Sequence, residues 1–288
     1  MTVRIRASAA VLVVCAIVAV IGLYVIARNW VGDLNLGLPP ERECTVDANG
    51  HVTLDAEQMA NAATIAAVGI RHRMPERGVV VALATAFQES KLHNIAHGDR
   101  DSLGLFQQRP SKGWGTAEQI QDPRYAARRF YDALRKVRGW EKMRVTDAAQ
   151  RVQRSAFPEA YEKWADEATV LTRALLGNAT GAVACTVSDT PSMRGTAAAT
   201  ALQRGLQLDW GTVKTARADV VGLTVSVADA RSGWRYAHWL VSHAAAHGLK
   251  RVHFADLEWT AKEGTWVKAD ASAPPAATVV AEVFDDDA

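Results

Sequence analysis

The sequence predicts an α+β chain in three parts: an N-terminal transmembrane helix, an all-helical domain and a small C-terminal α/β domain. Three observations predict it. An uncharged apolar run fills Ala7–Ala27, capped segments of helical periodicity follow one another as far as Gly177, and strand-like runs appear only after Cys185. The corresponding boundaries are 1–43 (cytoplasmic tail, anchor and linker), 44–187 (helical domain) and 188–288 (α/β domain).

The composition narrows the class of function. The 288 residues are long enough for about two folded domains. A hydrophobic share of 49% supplies enough apolar surface to fold. Lys and Arg total 33 against 31 Asp and Glu, a net charge of +2, which argues against a nucleic-acid partner. Three cysteines are too few for a disulfide-dense scaffold. No metal-binding motif and no cofactor motif is evident.

Each element has its own signal. Ala7–Ala27 would span roughly 30 Å as a helix, the thickness of a bilayer core. Arg4 and Arg6 precede it, Arg28 follows, and Tyr24 and Trp30 sit at belt positions. A cleaved signal peptide is the competing reading, but the run exceeds the usual h-region. An uncleaved single span predicts a cell-membrane protein with its folded domains on the extracellular side. Cys44 and Cys185 bracket the helical domain. A bond between them would tie its ends together, closing a loop worth roughly 5 kcal/mol in the chain-entropy model, and would persist only in an oxidising compartment. Two unrelated free thiols are the alternative.

Val31–Pro40 reads as a linker. Asp55 with Gln58 forms a capping-box pattern opening a helix whose apolar face is Met59, Ala63, Ala66 and Ile70, with Pro75 as its stop. Glu76 to Lys91 reads as a core helix, apolar on nearly every side. A polar loop runs from His93 to Gly115. Thr116 with Gln119 marks another cap, and Asp122-Pro123 starts a helix lined by Ala126, Phe130, Leu134 and Val137. Asp147 with Gln150 opens a shorter helix. Pro158 opens a last one, lined by Tyr161, Ala165, Ala168, Leu171 and Leu175. Beyond a polar linker, helices are predicted at Thr196–Leu208 and Ser232–His247. Strands are predicted at Val220–Ala228, Val252–Trp259 and Gly264–Lys268, with a hairpin around Lys262–Gly264. Trp234, Trp239, Trp259 and Trp266 fit core positions better than sugar platforms. This domain reads as an accessory unit.

One feature exceeds what packing explains. Glu89 ends an otherwise apolar helix, where desolvation would raise its pKa and suit it to general-acid work. An inert, half-exposed glutamate is the plain alternative. The loop after it, Gly98-Asp-Arg-Asp-Ser-Leu-Gly-Leu-Phe-Gln-Gln-Arg-Pro110, is too polar for core. Gly98 and Gly104 permit close backbone approach. Gln107 and Gln108 offer amides to sugar hydroxyls, and Trp114 an apolar groove wall.

Glu89-Ser90 followed by Ser102-x-Gly104-Leu105-Phe106-Gln107 resembles the lytic transglycosylase and goose-type lysozyme superfamily. It is most similar to the membrane-tethered type of high-GC Gram-positive (actinobacterial) bacteria. Asp122-Pro123, Tyr125, Ala126 and Phe130-Tyr131 resemble the family's third block. The resemblance covers about residues 53–177. It implies a lysozyme-like fold for the helical domain and peptidoglycan glycan strands as partner, with the C-terminal domain as an accessory for a cell-wall component or a divisome partner, dispensable for cleavage. It makes Glu89 the acid that protonates the MurNAc–GlcNAc oxygen and then accepts the MurNAc 6-hydroxyl proton, leaving a 1,6-anhydro product. It matches Ser90 to the motif hydroxyl and places Ser102, Gly104 and Gln107 along the sugar site. One departure stands out: where the family carries an Ala-Tyr-Asn-Ala-Gly block, this chain has Val152–Phe157, without the Tyr-Asn pair. Hydrolysis would call for a second carboxylate. Asp99 and Asp101 are the candidates, with loop ion pairs to Arg100 or Arg109 as the alternative. A glycan-binding or scaffold protein with an idle Glu89 is the non-enzymatic reading.

Overall fold

Alternation of period two opens the folded region. In Glu43–Asp47 (β1) and His51–Asp55 (β2), Cys44, Val46, Val52 and Leu54 point inward while their neighbours face out. The computed structural model describes residues 43–187, 190–217, 222–269 and 277–286. Asn49 and Gly50, both at positive φ, turn the chain between the two strands. Val183–Cys185 (β3) adds antiparallel to β1, giving the order β2-β1-β3. Cys44 lies opposite Cys185 in that register, and the two form a disulfide.

Asp55 caps the first helix, Ala56–Arg71 (α1), in the expected capping box with Gln58. This helix is buried on most of its circumference, which is why it is so rich in alanine. The Tyr131 hydroxyl donates to the Ile65 carbonyl at 2.9 Å, and a Cβ at Gly69 would lie 2.7 Å from that hydroxyl. Glu76–Ser90 (α2) follows, buried almost throughout. Its C-cap, Lys91, is left-handed, and the chain departs through buried Leu92. Ala117–Ile120 (α3), Pro123–Leu134 (α4), Val145–Gln153 (α5) and Ala165–Leu175 (α6) complete the helical part.

The C-terminal part continues with Gly195–Trp210 (α7), Thr215–Arg217 (β4), Gly222–Ser226 (β5), Ala230–Ser242 (α8) and Ala244–His247 (α9). Leu249–Phe254 (β6), Leu257–Thr260 (β7), Trp266–Lys268 (β8) and Thr278–Val283 (β9) end it. Strands β4 to β9 form an antiparallel six-stranded sheet in the order β4-β5-β9-β6-β7-β8. Helix α8 joins this sheet to α1 and α6. The neutral His238 ring shows how tightly: it accepts from the Ala182 amide at 2.9 Å and donates to the Ala174 carbonyl at 2.8 Å. Burial pulls its pKa down to about 4, so it stays uncharged there. Trp259 and Trp266 donate to the carbonyls of Cys185 and Val183. Arg42–Ala288 is one compact unit holding both expected domains.

Several expectations are corrected. The region expected to be all-helical carries a three-stranded sheet, because its ends pair across the disulfide. Among the described residues no helix is long and apolar enough to cross a membrane. The transmembrane helix, and the single-pass cell-membrane location built on it, are therefore not supported; Ala7–Ala27 itself lies outside the described residues. The core helix α2 has 15 residues, roughly 22 Å, and protein rather than lipid covers it. Pro158 does not open a helix: α6 begins at Ala165, after a 3-10 turn over Glu162–Trp164. The predicted strand Val252–Trp259 is two strands, reversed at Ala255, whose φ is 55°. Strand β9, central in the larger sheet, was not anticipated.

Candidate active site

The site begins with the way α2 ends. Its last turn carries Gln88, Glu89 and Ser90, and each is held by a different segment. Ser90 is buried, and its hydroxyl donates to the carbonyls of Ala86 (3.1 Å) and Leu105 (2.8 Å), pinning the loop to the helix. The Gln88 carbonyl accepts from the Trp164 indole at 3.0 Å, and Trp164 stacks on Phe87 with centroids 5.1 Å apart. Lys91 lies 4.0 Å over the Trp164 ring.

Glu89, half-buried between these clamps, accepts a hydrogen bond from the Tyr161 hydroxyl at 2.6 Å. Gln153 is a second side-chain partner. Desolvation raises the Glu89 pKa above the ordinary carboxylate range, and the bonds from Tyr161 and Gln153 offset only part of that rise. Tyr161 is fully buried and keeps its proton: desolvation and the Glu89 charge both push its pKa up. The Ser155 side chain is a further hydrogen-bond partner of Tyr161. Sequence reasoning placed Tyr161 on a helix lining and passed over Gln153. Tyr161 reaches Glu89 from a segment 72 residues further along the chain.

The loop is built, not filler. Leu103 and Gln108 exchange backbone hydrogen bonds of 2.9 and 3.0 Å, closing a tight turn. Gly104 turns at φ 73°, and a Cβ there would meet the Ile120 carbonyl at 2.8 Å. Leu105 and Phe106 are fully buried, Phe106 stacking on Phe130 at 4.8 Å. This is a correction to the reading of the whole loop as too polar for core. The Gln153 amide donates to the Phe106 carbonyl at 2.7 Å, so one side chain touches both the loop and Glu89.

The remaining candidates fall into distinct places. Ser102 is buried, its amide on the Asp99 carbonyl at 3.1 Å. Gln108 is buried, its amide donating to the Ala126 carbonyl at 3.0 Å, which supports the loop from within instead of offering an amide to sugar. Gln107 and Trp114 are half-buried and line a cavity of about 770 Å³, together with Gln153. The Trp114 carbonyl accepts from Tyr125 and Arg129. Glu89 is not in the cavity wall; Gln153 is the link between them. Asp101 accepts from Arg109 Nε at 2.6 Å and from the Ser111 amide at 2.8 Å. Those bonds, those to Ser111 foremost, hold its pKa well below the usual range. Asp99 is exposed, 3.8 Å from Arg100 Nε. Both loop aspartates are thus in the ion pairs that were their alternative reading. Cys44 and Cys185 lie in the small sheet.

The arrangement presents one desolvated carboxyl group, oriented by a phenol and by an amide residue that also lines a cavity. A group so placed can donate a proton while neutral and accept one once ionised. No protein-family model and no curated protein sequence matches this chain.

Proposed function

We propose that the chain is a peptidoglycan-cleaving muramidase acting on the MurNAc–GlcNAc β-1,4 bond, and specifically a lytic transglycosylase. The observation that carries this reading is Glu89: its pKa is raised by burial, and Tyr161 and Gln153 aim it. The Glu-Ser and Ser-x-Gly-Leu-Phe-Gln resemblance supplies the substrate class. In the reaction the protonated Glu89 gives its proton to the glycosidic oxygen as the C1–O bond breaks. The muramic 6-hydroxyl oxygen then bonds to C1, and its proton goes to the Glu89 carboxylate, restoring the acid without water. Engagement of Asp101 by Arg109 and Ser111 favours this single-carboxyl route over hydrolysis with a second carboxylate.

The test is digestion of purified peptidoglycan by the full-length oxidised protein and by Glu89→Gln, with released muropeptides weighed by mass spectrometry. Anhydro products, about 18 Da below reducing-end muropeptides by the one water not added, are expected from the wild type only. Glu89→Gln should lose at least a hundredfold in rate. Reducing-end products would replace the transglycosylase by a hydrolase. Binding without release from either protein would replace the enzyme by a glycan-binding protein.

A further inference from the structure

The cavity linked to Glu89 through Gln153 has an electrostatic character that the fold does not need. Six cationic side chains line it: Arg109, Lys112, Arg129, Lys136, Arg151 and Arg154. Asp132 is the one carboxylate in its wall. The whole chain is nearly balanced at +2, so this is a local concentration of charge. Arg109 is neutralised by Asp101, and Arg129 spends its donors on the carbonyls of Gly113 and Trp114. Lys112, Lys136, Arg151 and Arg154 have no carboxylate within 4 Å among the described residues. Three segments converge to make the cluster: the loop, α4 with the residues just past its end, and the end of α5. Gathering like charges around a concavity is unfavourable in the free protein and is offset when an anion occupies it.

We infer that this cavity is a subsite for anionic groups of the strand being cleaved, the carboxylates carried by muramic acid and its peptide substituents. Gln153 ties the cavity to the proton donor, because it lines the cavity and its side chain bonds Glu89, which favours an anion on the same strand. Trp114 and Val137 add apolar wall between the charges, suited to the methyl and methylene groups of a lactyl-peptide. The identity of the polymer rests on the proposed function; the charge preference does not. The consequence is selection of glycan that still bears free carboxylates over glycan that does not.

Binding separates the two ideas, since it needs no turnover. Glycan oligomers with free carboxylates, and the same oligomers amidated with carbodiimide and ammonia, are titrated against full-length Glu89→Gln by fluorescence anisotropy. The free-carboxylate oligomers should bind roughly tenfold more tightly at low salt, as expected for a few partly exposed ion pairs. The preference should collapse at 1 M salt, where screening reaches about 3 Å. K136E/R151E in the same background should abolish it. K262E/K268E, an equal change of charge at exposed sites outside the cavity, should leave it. Equal affinity for the two oligomers, or equal loss in both double variants, overturns the subsite. Tighter binding of polyglycerol phosphate at the same lysine and arginine overturns its assignment to carboxylates. A charge preference in a protein that cleaves no peptidoglycan would remove the proposed activity and leave the subsite; cleavage without a preference would do the reverse.

Discussion

At Glu89 two opposing effects meet. Burial disfavours the carboxylate, while the hydrogen bonds from Tyr161 and Gln153 favour it, and burial wins. In the proposed reaction that balance sets where Glu89 loses its proton, which makes Tyr161 a positioning residue with a measurable signature. An acid is active while protonated, so cleavage falls as pH rises through the Glu89 pKa. The Tyr161 hydroxyl holds that pKa down, and Tyr161→Phe should move the alkaline limb of the rate profile to higher pH. A hydrogen bond to a charged group is worth about 1.5–3 kcal/mol, so kcat should also fall by roughly tenfold or more. A pH–rate profile of the variant checks this; an unshifted limb with lowered activity would reduce Tyr161 to packing. Glu89 was legible in the sequence because it follows the apolar stretch Gly78–Phe87, with only Gln88 between, and stands just before a loop of unusual composition. Tyr161 was not, because a tyrosine among Ala, Leu and Trp reads as core, and only the folded chain brings it within 2.6 Å of residue 89.

The loop between α2 and α3 is the element that turns a helix end into a site. Its glycine at 104 answers two demands at once, a left-handed φ and a close approach to Ile120. Gly104→Ala should cost about 1–3 kcal/mol, or several degrees in Tm for a chain of this size, read by thermal unfolding at neutral pH. An unchanged Tm would mean that the turn can relax. The loop's polar letters were misleading about its middle. Leu105 and Phe106 go inward because the turn closed by Leu103 and Gln108 folds the segment back over Phe130. In the sequence Ser90 stands out as a motif hydroxyl and Gln108 as an amide for sugar, since both carry hydrogen-bonding atoms. The structure gives those atoms backbone carbonyls to serve, since a buried polar atom left alone is costly.

Across the molecule, the C-terminal segment is structural to the site-bearing half. Asp209 is fully buried and receives Arg124 at 2.5 Å, Thr64 at 2.8 Å and Trp239 at 2.8 Å, joining α1, α4, α7 and α8. Removing one partner from such a network leaves a buried charge uncompensated, worth about 3–5 kcal/mol. Truncation after Val187 would remove Asp209 and Trp239, strip the carbonyls of Val183 and Cys185 of their indole donors, and uncover α1 and α6. The expected outcome contradicts a dispensable accessory unit: the shortened chain should show no cooperative unfolding transition and rapid proteolysis, while the full chain shows both a sharp transition and resistance. Cooperative folding of the shortened chain with retained cleavage would sink this account.

By itself the sequence determined the local features: the capping boxes at Asp55 and Thr116, the apolar core helix at 76–90, the cysteine pair, and a glutamate out of place at a helix end. These are readable because each depends on residues within a turn or two of one another, or on a single long-range bond with few candidate partners. The tertiary structure decided the rest. It paired the ends of the helical region into a sheet, made β9 the centre of the larger one, and brought Tyr161 and Gln153 to Glu89. It gathered cations from three segments around one cavity. Those outcomes depend on contacts between segments tens of residues apart, which periodicity and capping do not encode.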